Sequence, residues 1–421
     1  MRDISKTAPA SSVSGLPPSR YQVVLVLILS FNLGVLFLNR NALGFLMPLI
    51  QPDLGLSNTQ VGMLSSSLSL TWAIAGFLVG GYSDRYEIRK PILIIGTLGF
   101  CLSAILSGLV GSLIFLLLAR LMMGAAQGGM LPISQSVVAA NVKPERRGFA
   151  MGITQNFGSE LLASMLGPII LVPLAVAVGW RYGLFAAAIP ALICATLIFL
   201  FVKEPARSSK TEVFKTDVQF RALISNRNVF ICIILSILLV SNYVITFTFL
   251  PLFLTEFRGY SPSTMALLMS SLGVSALFSA FAVPALSDAI GRRPIFIGTC
   301  LLGVAMPLGV LFYSGPLWGL VAIFIPGWCL TGIFPLFMAT VPAESVDLRL
   351  TATVAGIVVG VGEVIGGVLS PLIAGAAADA WGLSAPIWCI LLCVVLSCIV
   401  SLALEETAPN IIEKRSVRTY K

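Results

Sequence analysis

The 421-residue chain contains no histidine, and Asp, Glu, Lys and Arg together make up only 10% of it, against about 25% in soluble domains. The lack of histidine rules out imidazole acid–base catalysis and imidazole metal ligation. There is no glycine-rich phosphate loop and no metal-ligand spacing. The sequence therefore points away from enzymes and from bound cofactors or metals. Eight cysteines are present: Cys101, Cys194, Cys232, Cys300, Cys329, Cys389, Cys393 and Cys398. None forms a CxxC pair and all lie in apolar stretches, so they read as core packing.

Apolar sequence is abundant, at 57% of residues. Twelve runs are long enough to cross a bilayer at roughly 20 residues each. They cover 21–50, 58–82, 91–111, 113–140, 148–173, 180–202, 229–257, 262–287, 294–314, 317–340, 350–374 and 385–404. The expectation is an all-α membrane protein with six-helix halves at 21–202 and 229–404. Residues 203–228 form a polar linker, and 1–20 and 405–421 form polar tails. The Pro/Ser-rich opening reads as a disordered tail. It does not read as a cleaved signal, because the apolar run after it is too long for one.

Basic residues orient the chain. With the N-terminus inside, inner segments hold 22 of the 26 Lys and Arg, while outer loops hold Arg181 and Arg258. This bias places both termini in the cytoplasm and the helices in the cytoplasmic (inner or plasma) membrane. It also accounts for the net charge of +8 without a nucleic-acid partner.

The sequence is duplicated. GGYSDRYEIRKP at 80–91 matches PALSDAIGRRP at 284–294. Asp84 and Asp288 are 204 apart, Pro91 and Pro294 are 203 apart, and Pro168 and Pro371 are again 203 apart. Glu160 and Glu363 each precede the last pair by eight residues, so one offset brings two intramembrane acids into register. Related halves that rock around a shared site are typical of transporters.

These features resemble the major facilitator superfamily over about residues 20–405. Its loop pattern G-x-x-x-D-R-x-G-R-[RK] matches at Gly80, Asp84, Arg85, Arg89 and Lys90, with Glu87-Ile88 where the Gly is expected. The second copy keeps Asp288, Gly291, Arg292 and Arg293. ARLMMGAAQGG adds Arg120 and Gly124 at the helix 4 spacing. FLNRNALGFLMPLIQPDLGLSNTQVG is similar to the anion:cation symporter branch at Arg40, Asp53–Ser57, Gln60 and Gly62. Spinster-type lipid carriers share part of that pattern. The branch typically carries Asp before the arginine and Glu-Gly in helix 4. Here Asn39 and Gln127-Gly128 stand there, so proton carriage does not transfer to those positions. The resemblance implies that Asp84, Arg85, Arg89, Arg146, Arg147, Asp288 and Arg292 gate or latch one conformation; otherwise they are inner-face charge.

Arg40 falls about twenty residues into helix 1, roughly 30 Å along it. An arginine in the membrane needs a cavity or a partner. Either it binds an anionic substrate through its planar fork, or it pairs with Glu160 or Glu363. Arg120 serves packing, capping or gating, or touches ligand. Gln127, two turns on, is the better pocket candidate. Burial disfavours an ionised carboxylate, so Glu160 and Glu363 are the candidates for proton coupling; the alternative is a hydrogen-bonded structural acid or a counter-ion to Arg40. Trp180, Trp318 and Trp381 read as an interfacial belt. Trp72, Trp328, Asn242 and Tyr243 are either packing or pocket wall. Together Arg40, Asn39, Tyr243 and Trp328 suit an organic anion with an apolar or aromatic body.

Three functions compete: proton-driven uptake of a small organic anion such as a carboxylate, efflux of drugs or lipid-type compounds, and a membrane sensor or scaffold. The GxxxG spacing at Gly124 and Gly128 is used inside the bundle, so a monomer surrounded by lipid is expected.

Overall fold

A computed structural model describes residues 17–204, 226–347 and 350–412, without the side chains of Asp84, Pro144, Glu145 and Ala352. The expected tails and linker fall largely outside these residues. Twelve helices among the described residues are long and apolar enough to cross a membrane. In chain order they are α1 (Ser19–Leu54), α2 (Asn58–Ser83), α3 (Lys90–Leu109), α4 (Leu113–Asn141), α5 (Arg146–Val178), α6 (Trp180–Phe201), α7 (Arg227–Phe257), α8 (Pro262–Ile290), α9 (Arg292–Phe312), α10 (Leu317–Glu344), α11 (Thr353–Trp381) and α12 (Ser384–Ser401). The expected spans are all present. The largest differences are at the ends of α5 and α11, which run on to Val178 and Trp381.

The duplication extends to the helix caps. Ser57 caps the start of α2, accepting from the Gln60 amide, while the Gln60 side chain accepts from the Ser57 amide. This is the reciprocal box expected of S-x-x-Q. Ser261 caps α8 in the same way, through the Thr264 amide.

An even number of spans puts both chain ends on one face, the terminal face, and Ser57 and Ser261 on the far face. One apolar cluster near the far face joins both halves, from Leu43 and Met47 to Phe247, Leu250 and Ala374. Toward the terminal face the core divides. One cluster around Leu29, Phe100 and Val138 belongs to α1–α6, and another around Leu235, Phe296 and Val358 belongs to α7–α12. Two glycines permit the far-side closure. A Cβ at Gly44 would strike the Phe247 carbonyl, and one at Gly62 would strike that of Pro371. On the terminal side, Gly152 in α5 and Gly360 in α11 face open space. The halves therefore meet on the far side and part on the terminal side.

The tryptophan belt holds in part. Trp318 and Trp381 are exposed, but Trp180 is buried. Its indole Nε1 donates to Asp53 at 3.0 Å, and Arg181 reaches the same carboxylate. The Asp53 carboxylate ties the far end of α1 to α6, and the ring packs in the far-side cluster with the Arg181 guanidinium 4.2 Å from its centre.

Candidate functional site

A small cavity of about 30 Å³ lies between the halves, lined on one side by Arg40, Asn41, Ser65, Ser69 and Arg120 and on the other by Tyr243, Phe247 and Thr248. Arg40 projects from α1 with its side chain 9% exposed, and its guanidinium lies 3.7 Å from Glu363 of α11, itself 12% exposed. The pair crosses from one half to the other. Arg40 also donates to Ser69 Oγ at 3.4 Å and lies 5.5 Å from the centre of the Trp72 ring, both on α2. The ring face favours the cation. One carboxylate oxygen of Glu363 has no hydrogen-bond partner.

The backbone places the two acids alike. α5 loosens into a π-helix over Ser159–Leu166, and α11 does the same over Gly362–Leu369. Glu160 and Glu363 are the second residue of each segment. Short π segments inside α-helices are common at functional sites. One carboxylate oxygen of Glu160 is buried and unpartnered.

Arg120 is buried on α4. It donates to the Arg40 carbonyl at 3.2 Å and to Met123 Sδ at 3.5 Å, and its Nε is unpartnered. It lines the same cavity as Arg40. Five expected pocket residues do not: Trp72, which lies beside Arg40, and Asn39, Gln127, Asn242 and Trp328. Asn39 donates to the carbonyls of Val35 and Ala187, which turns it into the contact with α6. Gln127 donates to the Leu36 carbonyl. Asn242 is buried with both amide atoms unpartnered. Trp328 is fully buried behind Tyr243, ring centres 6.2 Å apart, and its indole N–H has no partner.

The expected gate residues sit on the terminal face. The side chain of Asp84 lies outside the described set. Arg85 lies over Tyr86 at 5.6 Å. The amides of Arg89 and Lys90 donate to the Glu204 carboxylate at 2.7 and 2.8 Å. Arg146 is exposed. In the second half, Arg292 bonds Asp288 at 2.5 Å and Glu344 at 2.8 Å. The amides of Arg292 and Arg293 donate to Glu406. Glu204 and Glu406 thus cap α3 and α9 alike, where a carboxylate meets the positive end of a helix.

Sequence reasoning missed the contacts that close the far side. Asp379, near the end of α11, accepts from the amides of Asn58 and Thr59 at 2.9 and 2.8 Å and from the Thr59 hydroxyl at 2.6 Å. It caps α2 from the other half. Ser65 pairs with Thr248 at 2.9 Å, Ser66 donates to the Val368 carbonyl at 2.6 Å, and Asn41 donates to the Tyr243 hydroxyl at 3.5 Å. The signal was the serine-rich run MLSSSLSL in an apolar helix.

Among known proteins, the chain is 28% identical to the hexuronate transporter of Bacillus subtilis (strain 168) over 308 residues, 68% of this chain and 71% of that one. It is 30% identical to a probable 4-methylmuconolactone transporter of Cupriavidus pinatubonensis over 339 residues, 76% of each. It is also 27% identical to the multidrug resistance protein MdtG of Salmonella typhi over 386 residues, 87% of this chain and 93% of that one. A bacterial homologue of the human lysosomal transporter Spinster, solved inward-facing and unoccupied, shares the fold with a TM-score of 0.73 at 18% identity, over 92% of this chain and 96% of that one. The family profile described as Major Facilitator Superfamily matches residues 29–362. That match runs from α1 into α11 and so takes in both repeats; the chain is a membrane transport protein that belongs to the Major Facilitator Superfamily.

Proposed function

We propose that the protein moves a small organic anion, a carboxylate, across the cytoplasmic membrane by alternating access, in symport with protons. The observation that carries this reading is the buried Arg40–Glu363 pair that spans the halves. A substrate carboxylate at Arg40 competes with Glu363 for the same guanidinium. A proton on Glu363 releases Arg40 to the substrate. Anion and proton therefore favour each other's binding, and the bridge between the halves is exchanged for substrate contacts. Glu160, in the matching π segment of the other half with a buried unpartnered oxygen, takes a second proton in this reading. The excess of basic residues on the terminal face supports a cytoplasmic location for both chain ends. The working unit is a monomer in lipid.

Efflux of a lipophilic drug is the second reading, favoured by the similarity to MdtG along most of both chains. A cationic drug would meet two arginines in the cavity, which argues for the anion. The test is uptake into proteoliposomes with an imposed pH gradient, acid outside. Carboxylate accumulation that collapses with a protonophore supports symport. Proton-driven export of a lipophilic cation with no carboxylate uptake would establish the second reading.

A further inference from the structure

Arg40 fixes where a carboxylate binds, and the surrounding side chains bear on the rest of the substrate. Tyr243 and Phe247 line the same cavity as Arg40. Tyr243 is half-buried, with Phe247 at 4.7 Å between ring centres, Trp328 at 6.2 Å and Phe334 at 6.1 Å. Phe45 of α1 meets Phe247 at 6.0 Å, and Trp72 lies beside Arg40 on the opposite half. The wall next to the anion seat is thus aromatic on both sides.

Hydroxyls and amides at the cavity are largely engaged with each other. Ser65 is paired with Thr248, Asn41 with Tyr243, and Ser69 with Arg40. A substrate rich in hydroxyls would have to break these pairs or bury its own groups unpaired, at a cost for each. A planar ring needs no such partners and gains by packing face or edge against Tyr243. Trp328 is fully buried behind Tyr243 and backs this wall without itself lining the cavity.

We propose that the substrate is a ring-bearing monocarboxylate, aromatic or unsaturated, and not a polyhydroxylated sugar acid. Arg40 holds its carboxylate, and the Tyr243 wall, backed by Trp328, packs its ring. This rests on the anion reading of Arg40 given above.

The test is thermal unfolding of the purified full-length protein with 4-hydroxybenzoate, glucuronate or tetraphenylphosphonium. Wild type is compared with Tyr243→Leu and Phe334→Leu. Binding to the native state raises the midpoint. The expected result is a rise with 4-hydroxybenzoate alone. Tyr243→Leu should abolish the rise. Phe334→Leu, which removes a ring packed on Tyr243 at a partly exposed position, should weaken it if Tyr243→Leu does not fold. Stabilisation by glucuronate but not by 4-hydroxybenzoate overturns the ring assignment and leaves the anion reading standing. So does an aromatic response unchanged in the folded wall variants. Stabilisation by tetraphenylphosphonium alone overturns both.

Discussion

Replacing Arg40 by alanine leaves Glu363 in the membrane interior without its guanidinium. Breaking such a pair on one side costs up to about 3–5 kcal/mol, so the variant should unfold at a clearly lower temperature. Adding Glu363→Gln removes the stranded charge and should restore the midpoint. Uptake should not return, because the anion seat is still missing. Recovery of uptake in the double variant would show that Arg40 serves only to neutralise Glu363. Charge in apolar sequence made Arg40, Glu160 and Glu363 legible, since each is expensive to bury. The sequence could not show which asparagine turns to the cavity. α1 is buried on nearly every side, with Asn32, Asn39 and Asn41 all covered, so no exposed face sets the phase of the helix. Asn39 goes to α6 and Asn41 to Tyr243.

The element whose end was hardest to place is α11. An acid near the end of an apolar run reads as loop, yet the helix continues to Trp381 because Asp379 is used within it, as the cap of α2. Hydrogen bonds to a charged group are worth about 1.5–3 kcal/mol, so Asp379→Ala should lower the population closed on the far side by tenfold or more. Labelling of a cysteine placed at Gly152, in a cysteine-free background, reads this directly and should slow. Unchanged labelling would mean that the other far-side contacts hold the halves shut without Asp379. The register of Glu160 with Glu363 was visible as an equal distance to proline. Their π-helical setting was not, because a shift in backbone bonding has no residue signature.

For the whole molecule, twelve spans and two repeats follow from hydropathy and offset, which sum over many residues. The side on which the halves part does not. It depends on a difference of a few kcal/mol between two arrangements of the same helices, set by contacts such as Ser65–Thr248 that gain meaning only once the halves face each other. If the carrier alternates, substrate offered from the far side should speed labelling at positions it exposes and slow labelling at Gly152. Equal rates with and without substrate would mean a fixed channel-like form.

Two acids in register, one per half, also bear on electrical behaviour. Arg40 stays with the protein, so a monocarboxylate that crosses with one proton moves no net charge. A second proton, on Glu160, would make each turnover carry one positive charge inward. A potential of 100 mV is worth about 2.3 kcal/mol per charge, enough to change the accumulation ratio almost fiftyfold. Clamping the voltage with valinomycin at constant pH thus counts how many of the two carboxyls titrate in a cycle. Indifference to voltage means one, and a rise with an interior-negative potential means two.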